Sequence, residues 1–272
     1  MSAAAPLRLL EDDPQAISAE LVRAFEAASG KTLYPAQVER LFVDLIAYRE
    51  TLLRGLINDV ARQNLVAYAR APMLDYLGEL VGVARLEGEG DERLRERIRL
   101  APEAFSTAGP RLGYRHAALS ASVHIIDAAV DSPAPGWVRI HPLADTGLPS
   151  AELLDAVLAA ASAEDVRPLC DQVEVRAPLD MPQRIEAELT LWRRADAAAT
   201  LALAQAALER YCTELASALG RDVVRSQIIA ALSVPGVYRV ELVAPNADTA
   251  TPAHAWAHVT QRSLRMAGVS DG

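Results

Sequence analysis

The stretch from Pro35 to Arg70 constrains this chain more than any other part of it. No strong helix breaker interrupts it, and its weakest point, Gly55, costs about 1 kcal/mol against alanine. The spacing predicts a helix of about 35 residues, about 52 Å long at 1.5 Å per residue. Leu41, Leu45, Tyr48, Leu52, Leu56, Val60 and Ala67 form one apolar stripe, and Phe42, Ile46, Leu53 and Ile57 form a second beside it. One stripe buries a helix against its own domain. Two stripes on a helix this long need more cover than a short domain supplies, which predicts a multi-helix bundle with part of the cover drawn from another chain. The residues expected at that interface are Leu41, Phe42, Leu45, Ile46, Tyr48, Leu52, Leu53, Leu56, Ile57 and Val60. The alternative is a bundle closed within the chain itself.

The segments on either side fill out an α+β plan, a helical region with one long helix followed by two small α/β modules. Asp12-Asp13-Pro14 starts a helix through Leu21, Val22 and Phe25 that stops at Ser29-Gly30. A short helix runs from Pro72 to Gly82, and Asp91 caps a charged helix from Glu92 to about Leu100, which Pro102 disturbs. The character changes at Gly109-Pro110. A helix over Pro110–Ala121, strands near Val123–Val130 and Trp137–His141, a helix over Ala151–Ala161 and a strand over Asp171–Ala177 make an α-β-β-α-β unit. From Gln183, Ile185, Ala187, Leu189 and Leu191 alternate with polar neighbours as a half-buried strand. A helix over Ala197–Leu219, a short helix capped by Ser226 and a strand over Val237–Val243 follow. The expected regions are therefore 1–108, 109–180 and 181–272. Val173-Glu174-Val175-Arg176-Ala177-Pro178 echoes Val240-Glu241-Leu242-Val243-Ala244-Pro245, which suggests two related modules.

Composition narrows the function classes. Of 272 residues, 27 are Lys or Arg and 36 Asp or Glu, a net charge of −9, which argues against nonspecific nucleic-acid binding. No stretch reaches the apolar length of a membrane span, and the opening Met1-Ser2-Ala3-Ala4-Ala5-Pro6 lacks the pattern of a signal peptide, so a cytosolic product is expected. Cys170 and Cys212 stand far apart and offer neither a disulfide framework nor a zinc knuckle.

Candidate chemistry is thin. Gly30-Lys31-Thr32 resembles the end of a phosphate loop, but Phe25 stands where the first glycine should be, and the motif follows a helix instead of a strand. His254 and His258 have the i,i+4 spacing of a helical metal pair; as a strand the segment would put His254, Trp256 and His258 on one face. Neither arrangement has a third ligand nearby in sequence. His116, His124 and His141 are isolated, and Asp75 and Glu79 read as solvated carboxylates. Arg93, Arg95, Arg97 and Arg99, with Glu92 and Glu96 among them, predict a mixed-charge surface or an ion-pair network with a partner. No catalytic residue, cofactor or metal is expected from these patterns.

Several short segments, in order, resemble one family. Gly30-Lys31-Thr32-Leu33-Tyr34-Pro35 precedes the long helix, which leads to Ala61-Arg62-Gln63-Asn64-Leu65 and Tyr68-Ala69. Leu74-Asp75-Tyr76-Leu77-Gly78, Val83-Ala84-Arg85-Leu86, Ala108-Gly109-Pro110 with Tyr114, Arg167-Pro168-Leu169 with Asp171 and Val173, and Pro235-Gly236-Val237 continue the series. The set resembles the baseplate assembly protein J family of contractile phage tails; Ala101-Pro102-Glu103-Ala104 departs from it. The resemblance implies a non-enzymatic wedge component of a sixfold virion tail baseplate, made in the bacterial host cytoplasm. Implied partners are further copies of the chain, a companion wedge protein similar to baseplate protein I, and other baseplate and hub proteins. Related proteins occur in pyocin-like particles and other contractile injection systems. The competing expectation is an α/β enzyme or ligand-binding protein with a helical oligomerisation extension, which predicts a concave pocket with convergent polar groups.

Overall fold

The computed structural model describes residues 7–106, 108–164 and 166–271; the opening residues 1–6, on which the leader reading rests, lie outside them. Contacts gather into two compact units, Met1–Arg85 and Leu86–Gly272. The architecture is α+β, as expected, with helices in the first part and two small sheets after them.

In the first unit, α1 (Pro14–Ser29) begins where Asp13 accepts from the Gln15 N–H and ends at Gly30. Gly30 adopts a left-handed φ of 69° and returns its N–H to the Glu26 carbonyl, so the glycine of the phosphate-loop lookalike is a helix C-cap. The long helix, α2, spans Val38–Gln63 and has 26 residues. It is about 39 Å long, shorter than the sequence pattern predicts. The stop has a local cause. The Asn64 amide donates to the Val60 carbonyl at 2.9 Å, and the Gln63 side-chain oxygen takes the Arg70 N–H at 2.9 Å, which turns the chain out of the helix. A short α3 (Met73–Glu79) follows, with Ala69, Leu74 and Val83 buried around it and Asp75 paired to Arg85 at 2.7 Å.

The second unit opens with α4 (Asp91–Ala104) packed on α5 (Arg111–Ala121). Pro102 falls in the last turn of α4, where it removes a single N–H, so the helix passes beyond the expected stop at Leu100. Next come β1 (Ile125–Asp131), β2 (Trp137–Ala144), α6 (Ala151–Ala161) and β3 (Gln172–Val175). They form a three-stranded sheet in which β2 is central, antiparallel to β1 and parallel to β3. Tyr114, Leu119, Ile125, Ile140 and Val157 fill the core between this sheet and its helices.

The second sheet is built on β4 (Leu179–Trp192), followed by α7 (Ala197–Ala216), α8 (Arg225–Leu232), β5 (Val237–Ala244) and β6 (Ala255–Ser270). Here β4 is central, antiparallel to β5 and parallel to β6 along its whole length. Pro182 is accommodated because β5 pairs β4 only from Glu186 to Leu191, leaving one edge open at the proline. Ile185, Leu189 and Leu191 pack against Ala204, Leu208, Ile228 and Leu232 of the helices. The histidine-bearing segment, left open between helix and strand by the sequence, is the start of the 16-residue β6. Bulges opposite Gln183/Arg184 and Leu189/Thr190 shift its register twice and so erase the alternation that would have revealed it. The six-residue echo does not mark a repeated topology: β3 lies parallel to its central strand and β5 antiparallel.

Arg93, Arg95 and Arg97 of the α4 run are turned inward, and Arg99 stays exposed. The Glu89 carboxylate is fully enclosed, with Arg97 Nη1 at 2.7 Å and Arg93 Nε at 3.8 Å. The Arg93 guanidinium also donates to the Leu119 and Val123 carbonyls at 2.7 and 3.2 Å and to that of Ser122, satisfying the open end of α5. A buried pair is costly to break, because its survivor is left charged without water. Glu89→Gln is therefore expected to destabilise the folded chain by about 3–5 kcal/mol, measured by urea unfolding followed through the tryptophans.

Candidate assembly interface

The face of α2 that its own chain covers is mainly polar. α1 packs along it, with Ile17 buried and Ala47 and Val43 enclosed. Beyond these small contacts the hairpin is held by hydrogen bonds. Ser18 donates to Asp44 at 2.9 Å, and Arg40 Nε donates to the same carboxylate at 3.1 Å. These two bonds hold the Asp44 carboxyl below its usual range.

Asn58 organises the other end. It is completely buried and clamps the extended segment that precedes α1. Its oxygen accepts from the Leu9 and Leu10 N–H groups at 2.9 and 3.0 Å, while its amide donates to the Leu10 carbonyl at 2.9 Å and to Asp12 at 3.2 Å. Arg54 and Arg62 add bonds to the Glu11 and Leu7 carbonyls at 3.1 and 3.0 Å. Burial works against ionisation of Asp12, but the bonds from Asn58 and Arg8 outweigh it and keep its carboxyl below the usual value. Sequence reasoning missed Asn58. Its partners lie 46 to 49 positions away, in a segment with no periodicity to announce it.

The opposite face is apolar and open. The ten residues Leu41, Phe42, Leu45, Ile46, Tyr48, Leu52, Leu53, Leu56, Ile57 and Val60 are each between 46% (Ile57) and 62% (Phe42) exposed. Val38 and Tyr34 extend the patch toward the helix start. At about 100° per residue, Tyr48 and Ile57 bound an arc of roughly 180°. An ordinary surface helix turns a stripe of about 100° toward its own core. Here the apolar arc is wider and faces away, so neither sequence stripe buries the helix against its own unit.

The remaining sequence candidates are dispersed. The His254 ring lies 5.1 Å from that of His141, while His258 stacks on Trp256 at 3.9 Å and sits 3.3 Å from Asp180. Among the described residues no group of three or more His, Cys, Asp or Glu could hold a metal ion. His124 pairs with Asp145 at 2.8 Å on the surface. Cys170 is exposed, and burial pushes the Cys212 thiol up. A cavity of about 250 Å³ near α5 is lined by Glu103, Tyr114, His116 and Ser120 among others, yet His116 Nε2 makes no hydrogen bond there and burial lowers its pKa. It does not assemble a nucleophile and base. No helix among the described residues is long and apolar enough to cross a membrane.

Comparison with known proteins gives matches along most of the chain. Residues 40–89 match the Baseplate J-like N-terminal domain, 106–177 the Baseplate J-like central domain and 184–264 the Baseplate J-like protein C-terminal domain. Baseplate protein J of Escherichia phage P2 is 36% identical over 219 residues, covering 74% of this chain and 72% of the relative. The chain belongs to the baseplate J-like family. Family and relative together support a structural role in a phage baseplate. The N-terminal match begins at Arg40 and so takes in nearly all of α2 with its open face.

Two tests address the clamp. Asn58→Ala removes four hydrogen bonds and is expected to cost about 1–3 kcal/mol, with faster tryptic cleavage after Arg8 as the local readout. The Asp12 and Asp44 carboxyls are depressed, so their stabilising bonds are present above the ordinary value of 3.8 and lost as pH falls through the lower folded values. The clamped Leu9-Leu10 bond, which suits an acid-active protease that cuts beside apolar residues, should become accessible in that acid range.

Proposed function

We propose that this chain is a wedge component of the sixfold baseplate of a contractile phage tail or a related injection particle, and that it acts by geometry and carries no chemical step. The open face of α2 seats against helices from further copies of the chain and from a companion wedge protein similar to baseplate protein I. The regions 109–180 and 181–272 then reach neighbouring wedges and other baseplate and hub proteins. The protein is made in the host cytoplasm and ends in the virion tail.

The observation that carries this reading is the inverted burial of α2, with its polar side covered and a half-circumference of large apolar side chains left open. An interface that recruits such a face permanently buries more than about 2,000 Å² in total. At about 25 cal/mol per Å² of apolar area the gross gain is large, and association entropy offsets part of it.

Leu45→Asp combined with Leu52→Asp tests the assignment. Both side chains are exposed in the single chain, so the fold tolerates them, while two carboxylates enclosed in an apolar contact are penalised heavily. We expect assembly affinity to fall at least about a hundredfold, the equivalent of roughly 3 kcal/mol, with the circular dichroism and melting of the second unit unchanged. Particles that incorporate the double variant at the normal level would refute the interface.

A further inference from the structure

Within the second unit, the two sheet modules meet at a built joint. The Trp256 ring lies over Gly147, whose φ is +107° and where an added Cβ would stand 2.5 Å from the indole. The Leu219 N–H donates to Asp127 across the joint at 2.8 Å. Between these contacts the ring of His141, on β2, lies 5.1 Å from the ring of His254, just ahead of β6. His141 is only 6% exposed.

Its hydrogen-bonding state can be read from chemistry. His141 Nδ1 is 3.3 Å from the Ala177 carbonyl, and a carbonyl only accepts, so Nδ1 carries the hydrogen. In the neutral ring Nε2 therefore presents a lone pair. That atom is enclosed and makes no hydrogen bond among the described residues, and the carboxylate of Asp131, on β1, is 3.9 Å away. An Asp131 oxygen is likewise enclosed without a hydrogen bond. The other charged groups facing the ring are Arg139, two residues earlier on β2 and paired with Glu174 of β3 at 2.9 Å, and His254 itself.

We propose that the His141–His254 contact is a proton-operated latch between the central and C-terminal modules. With the His141 ring neutral the two rings pack together and the joint is closed. A proton on His141 Nε2 gives that atom a donor with no acceptor in the closed arrangement. The nearest acceptor is Asp131, 3.9 Å away and beyond hydrogen-bond reach, so the charged ring must leave its packed position to bond it. Burial lowers the His141 pKa from its ordinary 6.5, and Asp131 only partly opposes this. The sign follows: closure is complete above pH 6.5 and is lost progressively as pH falls below it.

Hydrogen exchange on the full chain tests the latch. Going from about pH 7.5 to about pH 5.5, the range in which histidine titrates, the Leu219 amide, which is bonded across the joint, should lose protection about tenfold after correction for intrinsic rates, the equivalent of one pK unit. The amides of Ile185 and Leu189, inside the second core, should keep theirs. His141→Gln should abolish the pH response. His116→Gln should leave it intact, because His116 is also buried and titrates in the same direction. Equal protection at both pH values overturns the proposal, as does a response that survives His141→Gln or vanishes in His116→Gln. Should His141→Gln fail to fold, the ring resonances of the unaltered protein decide. A His141 midpoint below 6.5 that coincides with the amide response supports the latch, and a midpoint at or above 6.5 removes it.

Discussion

The structure of the first unit depends on a single buried amide. Asn58 satisfies two N–H groups and one carbonyl of a segment that has no regular structure of its own, and in doing so holds it along the polar side of α2. Burying an amide is costly unless every valence is met, and here each one is. The bonds also fix orientation. With its polar side occupied by this segment and by α1, the helix has only one way to face, and the broad apolar arc is turned outward. A hairpin held by hydrophobic burial alone would have closed over that arc.

The second unit solves a similar problem with charge. Four arginines alternate along α4, and two of them converge on the enclosed Glu89. Arg93 goes further and closes the end of α5 through three carbonyls. Helix-to-helix packing at this place is thus guided by directional contacts, which fix geometry more tightly than apolar surfaces do. The joint between the two sheets follows the same logic, with Asp127 receiving the Leu219 amide and Trp256 laid on a glycine that leaves room for it.

Much of this was legible in the sequence, and what was not has physical reasons. Helix α1 announces itself through Asp13, whose side chain accepts from the Gln15 N–H; the side-chain caps of α6 and α7, Ser150 and Asp196, emerge only in the structure. The α2 stripes were readable as apolar, but the side on which they would lie was not, because that is decided by Asn58 and its distant partners. The inward turn of the α4 arginines was hidden for a related reason. The acceptors of Arg93, the carbonyls of residues 119, 122 and 123, lie outside α4, and a one-dimensional charge pattern looks the same on either face. The β6 strand was lost to two bulges that break its alternation. The family likeness was legible because it rests on an ordered series of short segments and not on any one contact.

The pairing of β4 with β6 has a mechanical consequence. Fourteen consecutive positions of β4, from Leu179 beside the joint to Trp192 at the far end, have partners on β6 in parallel register. A force applied along these strands in opposite directions loads all of their cross-strand bonds together, whereas a ladder pulled from one end would open one rung at a time. The C-terminal module therefore carries a stiff internal girder, able to transmit displacement from one end to the other with little stretch of its own.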